Sequence, residues 1–110
     1  MSTPSIERGP IRQVVRYQVG HDSLLRCLAA IREYVVWVRA NEPGTLLYEV
    51  WQDREEPTRF VHLCVFRDTA ADRAHSESPA LHKFTRIIGP ECLAPVEFLD
   101  YGLVAAKVET

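Results

Sequence analysis

The sequence has no cysteine framework. Its three cysteines, Cys27, Cys64 and Cys92, are odd in number and widely spaced, which fits neither a disulfide scaffold nor a zinc knuckle. They are expected to be buried thiols packed as small apolar side chains. Positive charge is not in excess either. A formal net charge of −2 supplies no basic field for phosphate backbones and argues against nucleic-acid binding. No apolar run is long enough to span a membrane. Residues Met1 to Pro10 are polar and carry no signal-peptide stretch, so the expected location is the cytoplasm. The chain also lacks a dinucleotide-binding glycine pattern, a Walker loop, a nucleophile elbow and a His-Glu-x-x-His motif. No internal repeat or low-complexity segment is present. The four histidines share no metal-ligand spacing, so no metal site is expected.

What is there suits one globular domain. A chain of 110 residues, 46 % hydrophobic and 25 % charged, buries roughly two-thirds of its unfolded surface around a single core. Residues 1–10 read as a tail and 11–108 as the domain. Ile11 to Val19 is rich in β-branched residues and predicts a strand ending at Gly20. Ile11, Val15, Tyr17 and Val19 share one parity, with Gln13 as its polar exception. Leu24, Leu28, Ile31, Val35 and Val38 then repeat at helical spacing, with Leu25 and Tyr34 widening the stripe. Asp22 or Ser23 is the expected cap, and Asn41-Glu42-Pro43-Gly44 the stop. Thr45 to Asp53 and Arg59 to Arg67 predict a hairpin around a polar turn. Asp68-Thr69 begins a short helix, Ala70 to His75. Ser78-Pro79 begins another, with Leu81, Phe84, Ile87 and Ile88 as its apolar face and Gly89-Pro90 as its end. Val96 to Val108 reads as the last strand, with Gly102 suggesting a bend.

The order is β-α-β-β-α-β. Right-handed crossovers turn it into a four-stranded antiparallel α+β sheet with helices on one face, the ferredoxin-like arrangement. The third strand is apolar on both parities: Phe60, Cys64 and Phe66 on one, Val61, Leu63 and Val65 on the other. Such a strand is covered on both faces, and one layer of helices covers only one. A second copy of the chain is the simplest other cover.

From Asn41 onward the chain resembles the antibiotic biosynthesis monooxygenase family. The resemblance rests on EPGTLLYEV (42–50), Asp53 with PTRF (57–60), VFRD (65–68) and HSESP (75–79), with Phe84 beyond. It spans roughly residues 11–106. It implies a ferredoxin-like sheet that dimerises sheet to sheet into an α+β barrel. It also implies cofactor-free oxidation of a small aromatic substrate, a quinol or anthrone-type phenol, by O₂. Many members carry a glutamate in the third strand, and here the matching stretch is Leu63-Cys64-Val65-Phe66. The asparagine, tryptophan and histidine of the haem-degrading members are missing: the first strand offers Gln13 and Gln18, and His75 and Thr85 stand at the other two positions.

His75 is the leading catalytic candidate, since an imidazole titrates near working pH and can deprotonate a phenol. The alternative is a histidine that caps its helix through Ser78 or a backbone carbonyl. His62 lies mid-strand among apolar neighbours, as a core residue or a base. His21 and His82 read as solvated. Tyr48, Trp51, Phe66 and Phe84 are candidates for stacking on a flat substrate, as are Tyr34 and Trp37 of the first helix, with core packing as the alternative. Arg86, Arg59 and Arg67 could clamp a substrate oxygen. The pocket is expected between the sheet and the helices, roofed by residues 68–79. Two further readings stay open: a non-catalytic dimeric binding or stress-related protein, and an isomerase on the same scaffold, because fold alone does not settle function.

Overall fold

The computed structural model describes residues 9–108; the expected tail, residues 1–8, lies outside them. Strands β1 (Ile11–Gln18), β2 (Thr45–Gln52), β3 (Arg59–Phe66) and β4 (Glu97–Tyr101) form one antiparallel sheet in the order β2-β3-β1-β4. Helices α1 (Leu24–Asn41), α2 (Thr69–Ser76) and α3 (Pro79–Ile88) connect them. This is the ferredoxin-like α+β fold expected from the element order.

Local chemistry explains most boundaries. Asp68 caps α2 by accepting from the Ala71 amide at 2.9 Å, and Ser78 caps α3 by accepting from the Leu81 amide at 3.1 Å. Pro79 holds the first position of α3. The start of α1 differs from expectation. His21–Ser23 form a 3₁₀ turn that runs into the helix, and the Ser23 hydroxyl donates to the Gly20 carbonyl rather than capping. Leu25 does not widen the buried stripe; it is 82 % exposed, because it falls about 120° around the helix from Ile31. The buried face is Cys27, Ile31, Tyr34 and Val38. Cys92 is only partly buried, unlike Cys27 and Cys64. The last strand is also shorter than expected: β4 stops at Tyr101, and residues 102–108 are exposed without regular structure.

The sheet has one covered face and one open face. On β3, Phe60, His62, Cys64 and Phe66 are buried beneath the helices, while Val61, Leu63 and Val65 are half-buried on the other side. A register shift in β2 between Thr45 and Leu47 leaves Leu46 as an extra residue. Below this bulge, Tyr48 pairs with Cys64 and shares the helix-covered face, and Trp51 pairs with Val61 on the open face. Without the extra residue the two would exchange sides. Gly44, just before the bulge, lets α2 approach closely: a Cβ there would lie 2.6 Å from the Ala71 Cβ.

Candidate active site

A cavity of about 320 Å³ lies between the covered face of the sheet and helices α2 and α3. Gln13, Val15, Tyr17, Tyr48, His62 and Cys64 form its floor, and Phe98 of β4 lies at its side. α2 contributes Asp72, His75 and Ser76, and α3 contributes Leu81, Phe84, Thr85 and Ile88. Residues 68–79 therefore supply only part of the roof. Two hollows of about 490 and 510 Å³ lie outside, between α1 and α3 and at an outer corner of the sheet. Neither is lined by a histidine, so the smaller cavity is the chemical candidate.

His62 is 1 % exposed. Its Nε2 lies 2.8 Å from the Tyr17 hydroxyl and its Nδ1 2.8 Å from the Tyr48 hydroxyl. Burial, reinforced by nearby His75, depresses its pKa to about 3. The ring is thus neutral at neutral pH, with one nitrogen donating and the other accepting. His75 is also buried. Its Nε2 lies 2.8 Å from the Tyr34 hydroxyl, and its Nδ1 2.8 Å from Glu42 Oε1. The Thr45 hydroxyl donates to the same oxygen at 2.7 Å. Only 7 % of the Glu42 side chain is exposed. A carboxylate so far from water needs donors, and His75 and Thr45 supply them. The His75 ring does not cap its own helix; Ser78 reaches only the His75 backbone carbonyl, through its amide.

Burial raises Tyr17, Tyr34 and Tyr48 above the ordinary tyrosine range. It pushes the Cys64 thiol up to about 12, so that group is no thiolate at neutral pH. Ring stacking tightens the cluster. Tyr34 stacks on Phe84 with centroids 4.6 Å apart and meets Tyr48 edge-on at 5.3 Å.

The candidate residues separate into two groups. Tyr48, His62, His75 and Phe84 meet at the cavity. Phe66 is fully buried and backs the His75 ring at 4.9 Å instead of lining the cavity. Trp51 is 55 % exposed on the open sheet face, and Arg86 is exposed on the side of α3 away from Phe84. Neither can touch a molecule in this chain's cavity, because each points away from the space between the layers. Arg59 is exposed at the outer sheet corner, and Arg67 donates to the Pro43 carbonyl. His21 and His82 are exposed. No group of three or more His, Cys, Asp or Glu suited to a metal is found among the described residues, and no helix among them is long and apolar enough to cross a membrane.

Glu42 and Tyr17 escaped the sequence reading: Glu42 read only as part of a helix stop and Tyr17 as an apolar strand position. Tyr34, expected to stack on substrate or pack in the core, is a hydrogen-bond partner of His75. The usable signal was parity: Gln13 and Tyr17 place polar atoms on the β1 face that otherwise packs inward.

The family model of the antibiotic biosynthesis monooxygenases matches residues 10–86. No curated protein gives a significant match. Among solved structures, a Bacteroides thetaiotaomicron protein provisionally named as an antibiotic biosynthesis monooxygenase superposes with a TM-score of 0.83. It is 19 % identical, over 92 % of this chain and 95 % of its own. A Shewanella oneidensis protein gives 0.80 at 25 % identity, over 92 % and 97 %. A Mycobacterium tuberculosis protein gives 0.80 at 17 %, over 90 % and 99 %. The likenesses below 25 % identity speak for the fold alone.

Proposed function

The chain belongs to the antibiotic biosynthesis monooxygenase family, and from that premise we propose that it oxidises a phenolic, quinol or anthrone-type substrate with O₂ to a quinone, without a cofactor. The observation that carries this is the cavity between sheet and helices, lined largely by aromatic and apolar side chains, with His62 and His75 held in it by tyrosine hydroxyls. The walls exclude water and hold a flat ring in one pose. The substrate loses a proton, and its anion passes an electron to O₂. The two radicals combine as a peroxide. After reprotonation, the carbon that bears the hydroperoxide loses its hydrogen as the O–O bond breaks. Water leaves and a carbonyl remains. The substrate loses two hydrogens and gains one oxygen atom; the other oxygen departs in the water.

His75 is the proton-accepting centre in this reading. Glu42 keeps a proton on Nδ1, so Nε2 accepts from the Tyr34 hydroxyl and takes up a proton through it. Working as a homodimer belongs to the same reading. It is supported by the open face of the sheet, where Val61, Leu63 and Val65 stand beside exposed Leu47 and Trp51 among the charged Arg12, Arg16, Glu49 and Glu97.

Oxygen uptake with hydroquinones and anthrones, without added cofactor, tests the activity. Tight binding of those compounds with no oxygen uptake would favour a binding protein. His75→Gln is the informative variant, because it can keep a donor on Glu42 but cannot take up a proton. Turnover should fall roughly 10²-fold with folding preserved. Unchanged turnover with a lowered melting temperature would make His75 structural.

A further inference from the structure

Among the described residues, no lysine or arginine lines the cavity, and Asp72 is its one carboxylate. A substrate anion formed there has no cation beside it, so neutral hydrogen-bond donors must hold its charge. Few are free. Thr85 spends its hydroxyl hydrogen on the His82 carbonyl, and Ser76 is exposed. Tyr17, His62 and Tyr48 differ, because their hydrogens outnumber their bonds. Each hydroxyl brings one hydrogen and the neutral imidazole one more, which makes three. Two bonds join the groups, Tyr17 to His62 Nε2 and Tyr48 to His62 Nδ1, each 2.8 Å long. Each bond uses one hydrogen, so one tyrosine O–H is always left over. A protonated ring would only add another hydrogen.

The His62 tautomer decides which hydroxyl keeps it. With the ring hydrogen on Nε2, His62 donates to the Tyr17 oxygen and accepts from Tyr48 at Nδ1, and the Tyr17 hydrogen is free. In the other tautomer the free hydrogen is that of Tyr48, which has Tyr34 and Cys64 as neighbours. The Tyr17 hydroxyl bonds only to His62 and lines the cavity. An oxygen of a bound molecule draws the free hydrogen to Tyr17, the more strongly the more negative that oxygen is. We propose that Tyr17 is the donor that holds the negatively charged oxygen of the substrate, with His62 and Tyr48 positioning its hydrogen toward the cavity. The proposal rests on the monooxygenase reading and deepens it. The substrate's proton leaves toward His75, the electron pair stays on the substrate, and the Tyr17 O–H bond remains intact.

The placement suits this role. Tyr17 is held before any substrate arrives: it is buried, stacks on Phe60 with ring centroids 5.6 Å apart, and has its oxygen pinned by His62. A donor fixed in advance needs no reorganisation as charge develops. Burial also disfavours the tyrosinate, so Tyr17 keeps its proton. Base and donor stand apart. His75, Tyr48, His62 and Tyr17 follow in a row, with neighbouring ring centroids 5.5, 5.7 and 5.2 Å apart. The proton is taken at one end and the charge held at the other. An anthrone suits that division, since it loses its proton from a carbon and places the charge on the carbonyl oxygen across the ring. The Gln13 amide is the rival donor. It lines the same floor and makes no side-chain hydrogen bond among the described residues, so nothing holds it in place beforehand.

The test uses the full-length protein and 4-nitrophenol, whose ionised form absorbs visible light and does not react with O₂. Binding is measured on both sides of its ionisation. Tyr17→Phe keeps the ring on Phe60 and removes the donor. It should bind the anion about 10- to 100-fold more weakly than wild type, and the neutral phenol about equally. Gln13→Leu should weaken the anion less. The other titratable groups about Tyr17 and the cavity are Cys27 and Tyr34 of α1, Tyr48 of β2, His62 of β3, Asp72 and His75 of α2, and Cys92. All are the same in both proteins, so the difference belongs to the Tyr17 hydroxyl. With 1,4-naphthohydroquinone, Tyr17→Phe should lower kcat about 10²-fold with little change in KM. A further readout needs no variant. In wild type with labelled tyrosine rings, the Tyr17 hydroxyl proton should move downfield in the NMR spectrum when the nitrophenolate binds. No such movement, or anion binding by Tyr17→Phe at wild-type strength, would overturn the donor and leave the oxygenase reading standing. A loss of anion binding confined to Gln13→Leu would do the same. Weakened anion binding in Tyr17→Phe, with no oxygen uptake by wild type on hydroquinones or anthrones, would support the donor and remove the oxygenase reading. Failure of wild type to bind 4-nitrophenol would overturn the donor.

Discussion

At the residue scale, the burial of His62 becomes measurable as acid sensitivity. Its pKa is about 3 in the folded chain and about 6.5 in an unfolded one. Between those values the unfolded state binds a proton that the folded state refuses. Stability therefore rises with pH through this window and is lost as pH falls from about 6.5 toward 3. The limiting slope is about 1.4 kcal/mol per pH unit. His62→Gln can bond both tyrosines and does not titrate. Its urea midpoint should fall less steeply between pH 6 and pH 4 than that of the wild type; parallel curves would mean that His62 takes up its proton without unfolding. Tyr34→Phe is a second test of the buried polar cluster. It strands His75 Nε2 without its donor, which should cost about 1–3 kcal/mol in chemical denaturation.

At the scale of elements, the approach of α2 to β2 sets the position of His75. Gly44 permits that approach, since a methyl group there would collide with Ala71. Gly44→Ala should move α2 outward, cost about 1–3 kcal/mol and lower the melting temperature by several degrees. Turnover should fall with it, because the His75–Glu42 bond spans the same gap. An unchanged melting temperature would show that α2 shifts freely. The segment after β4 matters differently. Residues 102–108 are exposed and include Val104 and Val108, 88 % and 77 % exposed. Apolar side chains in that setting suit contact with a second copy. Truncation after Gly102 should raise the dimer dissociation constant in sedimentation equilibrium, and an unchanged constant would assign the segment no part in assembly.

At the scale of the whole molecule, the proposed homodimer is to be tested on the open sheet face. Leu63 pairs with Val14 on one side and Glu49 on the other, in the middle of that face. A stable dimer there should bury about 2,000 Å² or more in total. Leu63→Glu puts a charge into the face without touching the cavity cluster and should yield monomers at micromolar concentration by analytical ultracentrifugation. A Leu63→Glu protein that stays dimeric would move the interface elsewhere.

Much of this architecture was legible in the residues alone. The 3.6-residue spacing of Leu24 to Val38 determined α1, the Asp68 and Ser78 caps determined α2 and α3, and the β-branched runs determined three strands, because these signals are local. β4 was overextended, since the run Leu103 to Val108 is apolar enough for a strand and nothing in it says that no neighbouring strand is there to pair. His62 and His75 could be picked out as candidates by type and position. Their partners could not. Whether Tyr48 or Trp51 faces the cavity depends on one extra residue at Leu46, and a bulge leaves the composition of a strand unchanged. Glu42 and His75 are brought to 2.8 Å across 33 positions of sequence by the close packing of α2 on Gly44. A hydrogen bond needs its atoms within a few tenths of an ångström, and only the packed layers hold side chains to that tolerance. The sequence by itself determined which groups can carry protons; the tertiary structure decided which of them touch.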